Sequence, residues 1–228
     1  MAENTEDKFS SIEETLSKTE LFIEKNQKTI SLIAVGLVII VGGYLLYQKY
    51  MVQPKEIKAQ AAMQWAQKYW EMDSLDLALN GKGTDQLGFI DIINEFGGTR
   101  AANTSYFCTG RIYMEKGQFD EAISYLNKYS ADDVITSALA IGLIGDANME
   151  LGKVDDAINF YQKAAAKNEN QFTTPIFLMK AAQALEEQNK LDEAVAIYER
   201  LSTEYVRTSE GREAEKFVAR IKSKTGKE

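Results

Sequence analysis

Side chains able to do chemistry are scarce in this sequence. None of its 228 residues is a histidine. The commonest general base and the commonest metal ligand are therefore missing together, which excludes Ser-His-Asp, Cys-His and His-Glu-x-x-His arrangements. Cys108 is the single cysteine, so no intrachain disulfide can form. One thiol fits an oxidising compartment as well as a reducing one. Within Tyr106-Phe107-Cys108-Thr109-Gly110 it reads as a small hydrophobe on a packed helix face, with no imidazole to activate it. Acidic doublets such as Asp155-Asp156 have the composition of metal ligands but fall at helix starts and turns, and read as solvated charge. Asn103-Thr104-Ser105 matches a glycosylation sequon, yet it falls inside a predicted helix. No Gly-rich phosphate loop appears. The expectation is a protein that is not an enzyme and holds neither cofactor nor metal.

Charge points the same way. The formal net charge is −8, from 34 acids interleaved with 26 bases. No basic stripe exists to neutralise phosphates, so no nucleic-acid partner is expected. What remains is a chain built to position surfaces. Its only prolines, Pro54 and Pro175, permit long helices nearly everywhere.

The first element is a membrane span. Ile30 to Tyr47 is eighteen residues without a charge, eleven of them Leu, Ile or Val. As a helix it reaches about 27 Å at ~1.5 Å per residue, near the thickness of the hydrocarbon core. At roughly −0.3 to −0.6 kcal/mol each, the eleven contribute roughly −3 to −6 kcal/mol to insertion. Tyr44, Tyr47 and Tyr50 gather at one end as an interfacial belt. A cleaved signal peptide is disfavoured, because the leader carries seven acids against four lysines and the apolar run is too long. A transmembrane helix over 30–50 is therefore expected, in contact with the lipid bilayer. Gly36 and Gly43 lie on one of its faces, where small residues allow close helix packing. Lys18, Lys25 and Lys28 before the span balance Lys49, Lys55 and Lys58 after it, so charge leaves orientation open. Residues 1–29 form a short polar tail. Phe9, Ile12, Leu16 and Ile23 give it an amphipathic stripe, and Ser11-Ile12-Glu13-Glu14 a capping-box pattern. Such a tail fits a helix on a surface and a fraying polar end equally.

Beyond Pro54 the sequence repeats itself. Gly117-Gln118-Phe119-Asp120-Glu121-Ala122, Gly152-Lys153-Val154-Asp155-Asp156-Ala157 and Asn189-Lys190-Leu191-Asp192-Glu193-Ala194 align, their alanines 35 and 37 residues apart. Twelve residues before each alanine stands Gly110, Gly145 or Ala182. Four after it stands Leu126, Tyr161 or Tyr198. Paired helices approach closely only where both are small, so Gly110 is expected against Ala122. The Gly or Asn opening each hexapeptide suits a left-handed C-cap, and the acids suit the start of the next helix.

This pattern resembles the tetratricopeptide (TPR) repeat, which implies an all-α fold: a single N-terminal transmembrane helix followed by a TPR-type α-solenoid over 55–222. Its parts are a degenerate repeat at 55–100, with helix A over Lys55 to Met72 and helix B over Gly88 to Phe96, then repeats at about 103–136, 138–171 and 175–208. An amphipathic capping helix at 209–222 closes the array. Helix A of each TPR lines a concave, protein-binding face. Counted from the repeats, Phe107, Arg111 and Met114 are expected there, then Leu139, Asp146 and Met149, then Ile176, Met179 and Gln183. The methionines suit varied partners. The lysine and asparagine clamp by which some TPR domains hold a C-terminal carboxylate is not found at these positions.

The layout is also similar to YfgM-type ancillary subunits of the bacterial SecYEG translocon. Leu21-Phe22-Ile23-Glu24-Lys25-Asn26-Gln27-Lys28 runs into one span and then a TPR domain of this size. That resemblance implies an inner-membrane protein with a cytoplasmic N-terminus and a periplasmic TPR domain. Its partners would be SecYEG, a membrane-anchored PpiD-type chaperone and emerging client polypeptides. The other reading is an envelope scaffold or adaptor for assembly or division, unrelated to secretion.

Overall fold

A computed structural model of the chain describes residues 3–131 and 133–226, with side chains from Phe22 onward. Two compact units, Met1–Pro54 and Lys55–Glu228, are described separately.

The first unit is helix α1, Glu3–Tyr47, followed by a π-turn over Gln48–Val52. Pro54 lacks an N–H and crowds the carbonyl four residues back, which accounts for the widened turn just before it. Helix α1 already runs through Ser11, so that residue does not start a helix. The side chains of Phe9, Ile12 and Leu16 lie outside the described set. Among the described residues one helical stretch is long and apolar enough to cross a membrane, and none of its apolar window is buried. Leu32, Val38, Ile39 and Ile40 are each well over half exposed. Gly36 and Gly43 have no neighbouring atom within 4 Å of an added Cβ.

The second unit is all helix among its described residues: α2 (Gln53–Glu71), α3 (Leu75–Asn80), α4 (Phe89–Glu95), α5 (Arg100–Glu115), α6 (Phe119–Leu126), α7 (Thr136–Glu150), α8 (Val154–Lys167), α9 (Thr173–Glu187), α10 (Leu191–Glu204) and α11 (Ser209–Thr225). Helices α5/α6, α7/α8 and α9/α10 pack as antiparallel A/B pairs, and each B helix also packs on the following A helix. The A helices end in one motif. Gly117, Gly152 and Asn189 take positive φ of 70°, 71° and 58°. Each turn closes with paired backbone bonds, as in Gly117 N to Met114 O at 3.0 Å and Gln118 N to Tyr113 O at 2.9 Å. The alanine five residues later (Ala122, Ala157 or Ala194) is fully buried.

The same cap appears once more, where the sequence hides it. Asp73 has φ 56°, Asp73 N bonds to Trp70 O and Ser74 N to Tyr69 O, and Ala78 and Ala66 are both fully buried. Asp73-Ser74-Leu75-Asp76-Leu77-Ala78 is therefore the fourth copy of the hexapeptide. The first helix B starts at Leu75, not Gly88; it breaks at Asn80 and resumes as α4. An insertion over 81–88 causes the break, and Gly81 and Gly88 allow the backbone to double back: a Cβ on Gly88 would lie 2.3 Å from Leu79 O.

Helix contacts add to the expected small-residue pairing. Gly110 does approach Ala122, whose carbonyl oxygen would lie 3.3 Å from an added Cβ, but Gly110 and Gly145 meet the large side chain four beyond the alanine more closely still. A Cβ on Gly110 would lie 2.5 Å from Leu126 Cγ, and one on Gly145 2.6 Å from Tyr161 Cε1. Along the A–B turns runs a ladder of exposed ion pairs: Lys116–Asp76 (2.6 Å), Lys153–Asp120 (3.5 Å) and Lys190–Asp155 (2.7 Å).

Cys108 is 8% exposed, and burial pushes its thiol pKa up from 9.0 to about 11. A neutral thiol is a poor nucleophile. Ellman's reagent should therefore leave the folded protein unlabelled at pH 8 and label one thiol per chain on denaturation. The folded thiol holds its proton where the unfolded one loses it, so its stabilisation is complete below pH 9 and declines from there to about 11. Fast labelling of the native protein would contradict this burial.

Candidate functional site

The A helices α5, α7, α9 and α11 lie side by side and present one continuous face. On it, residues one and four positions past each small residue recur in register. Arg111 stands 4.9 Å over the Trp70 ring, whose Nε1 donates to Glu115 at 3.1 Å. Met114, Asp146 and Met149 meet in one open hollow of about 690 Å³, together with Glu150, Tyr161 and Lys180. Next along, Gln183 joins Glu186, Tyr198, Phe217 and Arg220 around a hollow of about 340 Å³.

Polar groups in these hollows bond to one another across the repeats. Lys180 Nζ donates to both Asp146 oxygens, at 2.6 and 2.8 Å, and the Tyr161 hydroxyl donates to Oδ1 at 2.8 Å. Burial and that carboxylate hold the Tyr161 phenol far above its usual pKa, so it stays a donor. In the second hollow Arg220 reaches both Glu186 oxygens at 2.7 Å, and the Tyr198 and Phe217 rings stack 4.9 Å apart. Among the described residues no three His, Cys, Asp or Glu side chains are grouped to hold a metal. Fixed donors and acceptors beside methionine and aromatic surface can bind an extended polypeptide.

The structure brings together five of the nine sequence-selected residues on this face: Arg111, Met114, Asp146, Met149 and Gln183. Of the other four, three are packed into the core, and Ile176 stands exposed seven residues before Gln183 on the same side of α9. Phe107 packs between repeats, 5.2 Å from the Tyr129 ring. Met179 is 6% exposed and belongs to the core. It and Phe107 stand three positions before their small residues, at the contact with the adjacent repeat. Leu139 packs against the core, and Ile176 is 38% exposed near the start of α9. Sequence reasoning missed Lys180 and Tyr161. Tyr161 had a signal, its place four residues after Ala157; Lys180 stands two before Ala182, a position with no recurrent chemistry.

Known proteins agree with this architecture. Residues 107–172 and 143–205 match the Tetratricopeptide repeat family. No curated protein matches the chain. Two crystal structures of a Podosopora anserina protein, titled a kinesin light chain with nearly identical TPR-like repeats, are 15% identical to it. They cover 74% and 77% of this chain and 87% and 90% of their own, with TM-scores of 0.54 and 0.55. A crystal structure of MamA protein, 20% identical, covers 73% of this chain and 91% of its own with a TM-score of 0.52. At these identities the likeness is one of fold. With repeats matched over 107–205 and this likeness of fold, the second unit is a TPR-type α-solenoid.

Proposed function

We propose that this chain is a membrane-anchored protein-binding subunit of the bacterial inner membrane, working beside the SecYEG translocon. In this reading residues 1–29 are cytoplasmic and the TPR domain is periplasmic. The A-helix face receives emerging secretory polypeptides and brings them to a PpiD-type chaperone. The observation that carries the binding role is the hollow where Met114 and Met149 flank the fixed Asp146–Lys180–Tyr161 cluster. Methionine surface adapts to many sequences, and fixed polar groups can meet a peptide backbone. The apolar run of α1 supports the anchor. Translocon, chaperone and orientation rest on the layout of tail, span and repeats. Tethering raises the local concentration of a weak site, so modest affinity suffices.

A photo-crosslinking amino acid at Met149, activated in native membranes, tests this. Adducts with nascent secretory chains are expected, with translocon subunits co-purifying. Met114→Ser combined with Met149→Ser should reduce client adducts severalfold and spare translocon association, whereas Gly36→Leu with Gly43→Leu should do the reverse. Protease added to spheroplasts should remove the TPR domain. If neither translocon subunits nor secretory chains are captured, the envelope scaffold becomes the better reading.

A further inference from the structure

Helix α6 has 8 residues where its counterparts α8 and α10 have 14 each. Asn103 of α5 ends it by clasping the Ser130 peptide: Oδ1 accepts from Ser130 N at 3.0 Å, and Nδ2 donates to Ser130 O at 2.6 Å. The chain turns away, and the flank of α7 and α8 that further turns of α6 would cover stays open. A cavity of about 260 Å³ remains there, walled by Leu126, Ala140, Ile144 and Phe160. Lys163 and Lys167, one turn apart on α8 and both exposed, also line it. Neither pairs with a described carboxylate, whereas Lys116, Lys153, Lys180, Lys190 and Lys222 all do. The Lys163 ammonium lies 5.0 Å over the Phe160 ring, so charge and apolar wall adjoin. Asp133, in the loop before α7, is already engaged: its carboxylate accepts from Ile135 N at 3.0 Å and Thr136 N at 2.6 Å. These bonds, first those with Thr136, hold its pKa below the usual range.

We infer that this cleft is a second peptide site, separate from the A-helix face, for a segment carrying one large apolar side chain flanked by carboxylates. Its volume falls below the ~300–1,000 Å³ of pockets that enclose whole small ligands, and suits a single side chain. That volume is also too small for a long acyl chain. The two ammonium groups, unpaired among the described residues, can give charge-assisted hydrogen bonds to carboxylates, and Asn127 and Ser130 also line the cleft.

The test uses the full chain in lipid nanodiscs and fluorescence anisotropy. The probes are a fluorescein-labelled Gly-Ser-Glu-Leu-Glu-Ser-Gly amide and its counterpart with both Glu changed to Gln. The acidic peptide should bind at least tenfold more tightly. Lys163→Gln with Lys167→Gln should erase that preference, and because these lysines pair with no described carboxylate its melting curve should match the parent. Lys216→Gln with Lys224→Gln, on α11, should keep the preference, as should Met114→Ser with Met149→Ser, which separates this site from the A-helix face. Equal binding of the two peptides overturns the inference. So does an equal loss in the α11 pair, or displacement of the probe by laurate at lower concentration than by unlabelled peptide.

Discussion

Alanine at Gly142 should lower the thermal midpoint of the protein, although alanine is the better helix former. A Cβ there would lie 1.9 Å from Cε1 and 2.2 Å from Cζ of Phe177, a ring only 3% exposed in the core joining the last two repeats. The ring is buried among core side chains, and overpacking of this kind costs ~1–3 kcal/mol or more. Relief of the glycine's backbone entropy returns roughly 0.5–1 kcal/mol, so the clash wins. At about 2–4 °C per kcal/mol for a domain of this size, a fall of several degrees is expected by circular dichroism. Phe177→Leu in the same chain should recover part of it, because the two residues share one space. An unchanged or higher midpoint would mean that the α7–α9 contact is looser than described.

Val38→Lys together with Val41→Lys should release the protein from membranes. Both valines are exposed near the middle of the apolar run. Each lysine there costs about 2.5–3.5 kcal/mol and forfeits the valine's share of roughly −0.3 to −0.6. The pair thus costs about 6–8 kcal/mol, against the roughly −3 to −6 that the eleven Leu, Ile and Val residues contribute. Alkaline carbonate extraction should leave the parent in the pellet and move the variant to the supernatant. A variant that stays in the pellet removes the span reading.

What could be read beforehand depended on whether backbone geometry demanded a residue type. A left-handed helix end favours Gly or Asn, so the caps at Gly117, Gly152 and Asn189 were legible, and with them the three repeats. Asp73 takes the same conformation with a residue that tolerates it less often, and the insertion at 81–88 then breaks the spacing, so spacing finds helix A of the first repeat but puts its helix B at Gly88, thirteen residues beyond its start at Leu75. On the binding face, counting from the small residues found Arg111, Met114, Asp146, Met149 and Gln183. It also selected Phe107 and Met179, because sequence spacing does not separate a residue facing solvent from one facing the next repeat. Lys180 and Tyr161 join Asp146 from a neighbouring repeat and from the opposite helix of its own, which periodicity within one helix cannot reveal. The early end of α6 has a similar cause: the Ser130 peptide just beyond it is held by an amide of Asn103, 27 residues away from Ser130.

The lysine–aspartate ladder has a mechanical consequence. Each rung is exposed and contributes only about 0–1 kcal/mol, too little to hold the fold. The rungs lie in series along one border of the array, however, and each joins a repeat to the one before it. That border therefore behaves as a spring whose stiffness follows ionic strength, since the Debye length shrinks from about 10 Å at 0.1 M salt to 3 Å at 1 M. The array should flex more readily on that side in concentrated salt, while its apolar interior, which carries no such charge, should not respond.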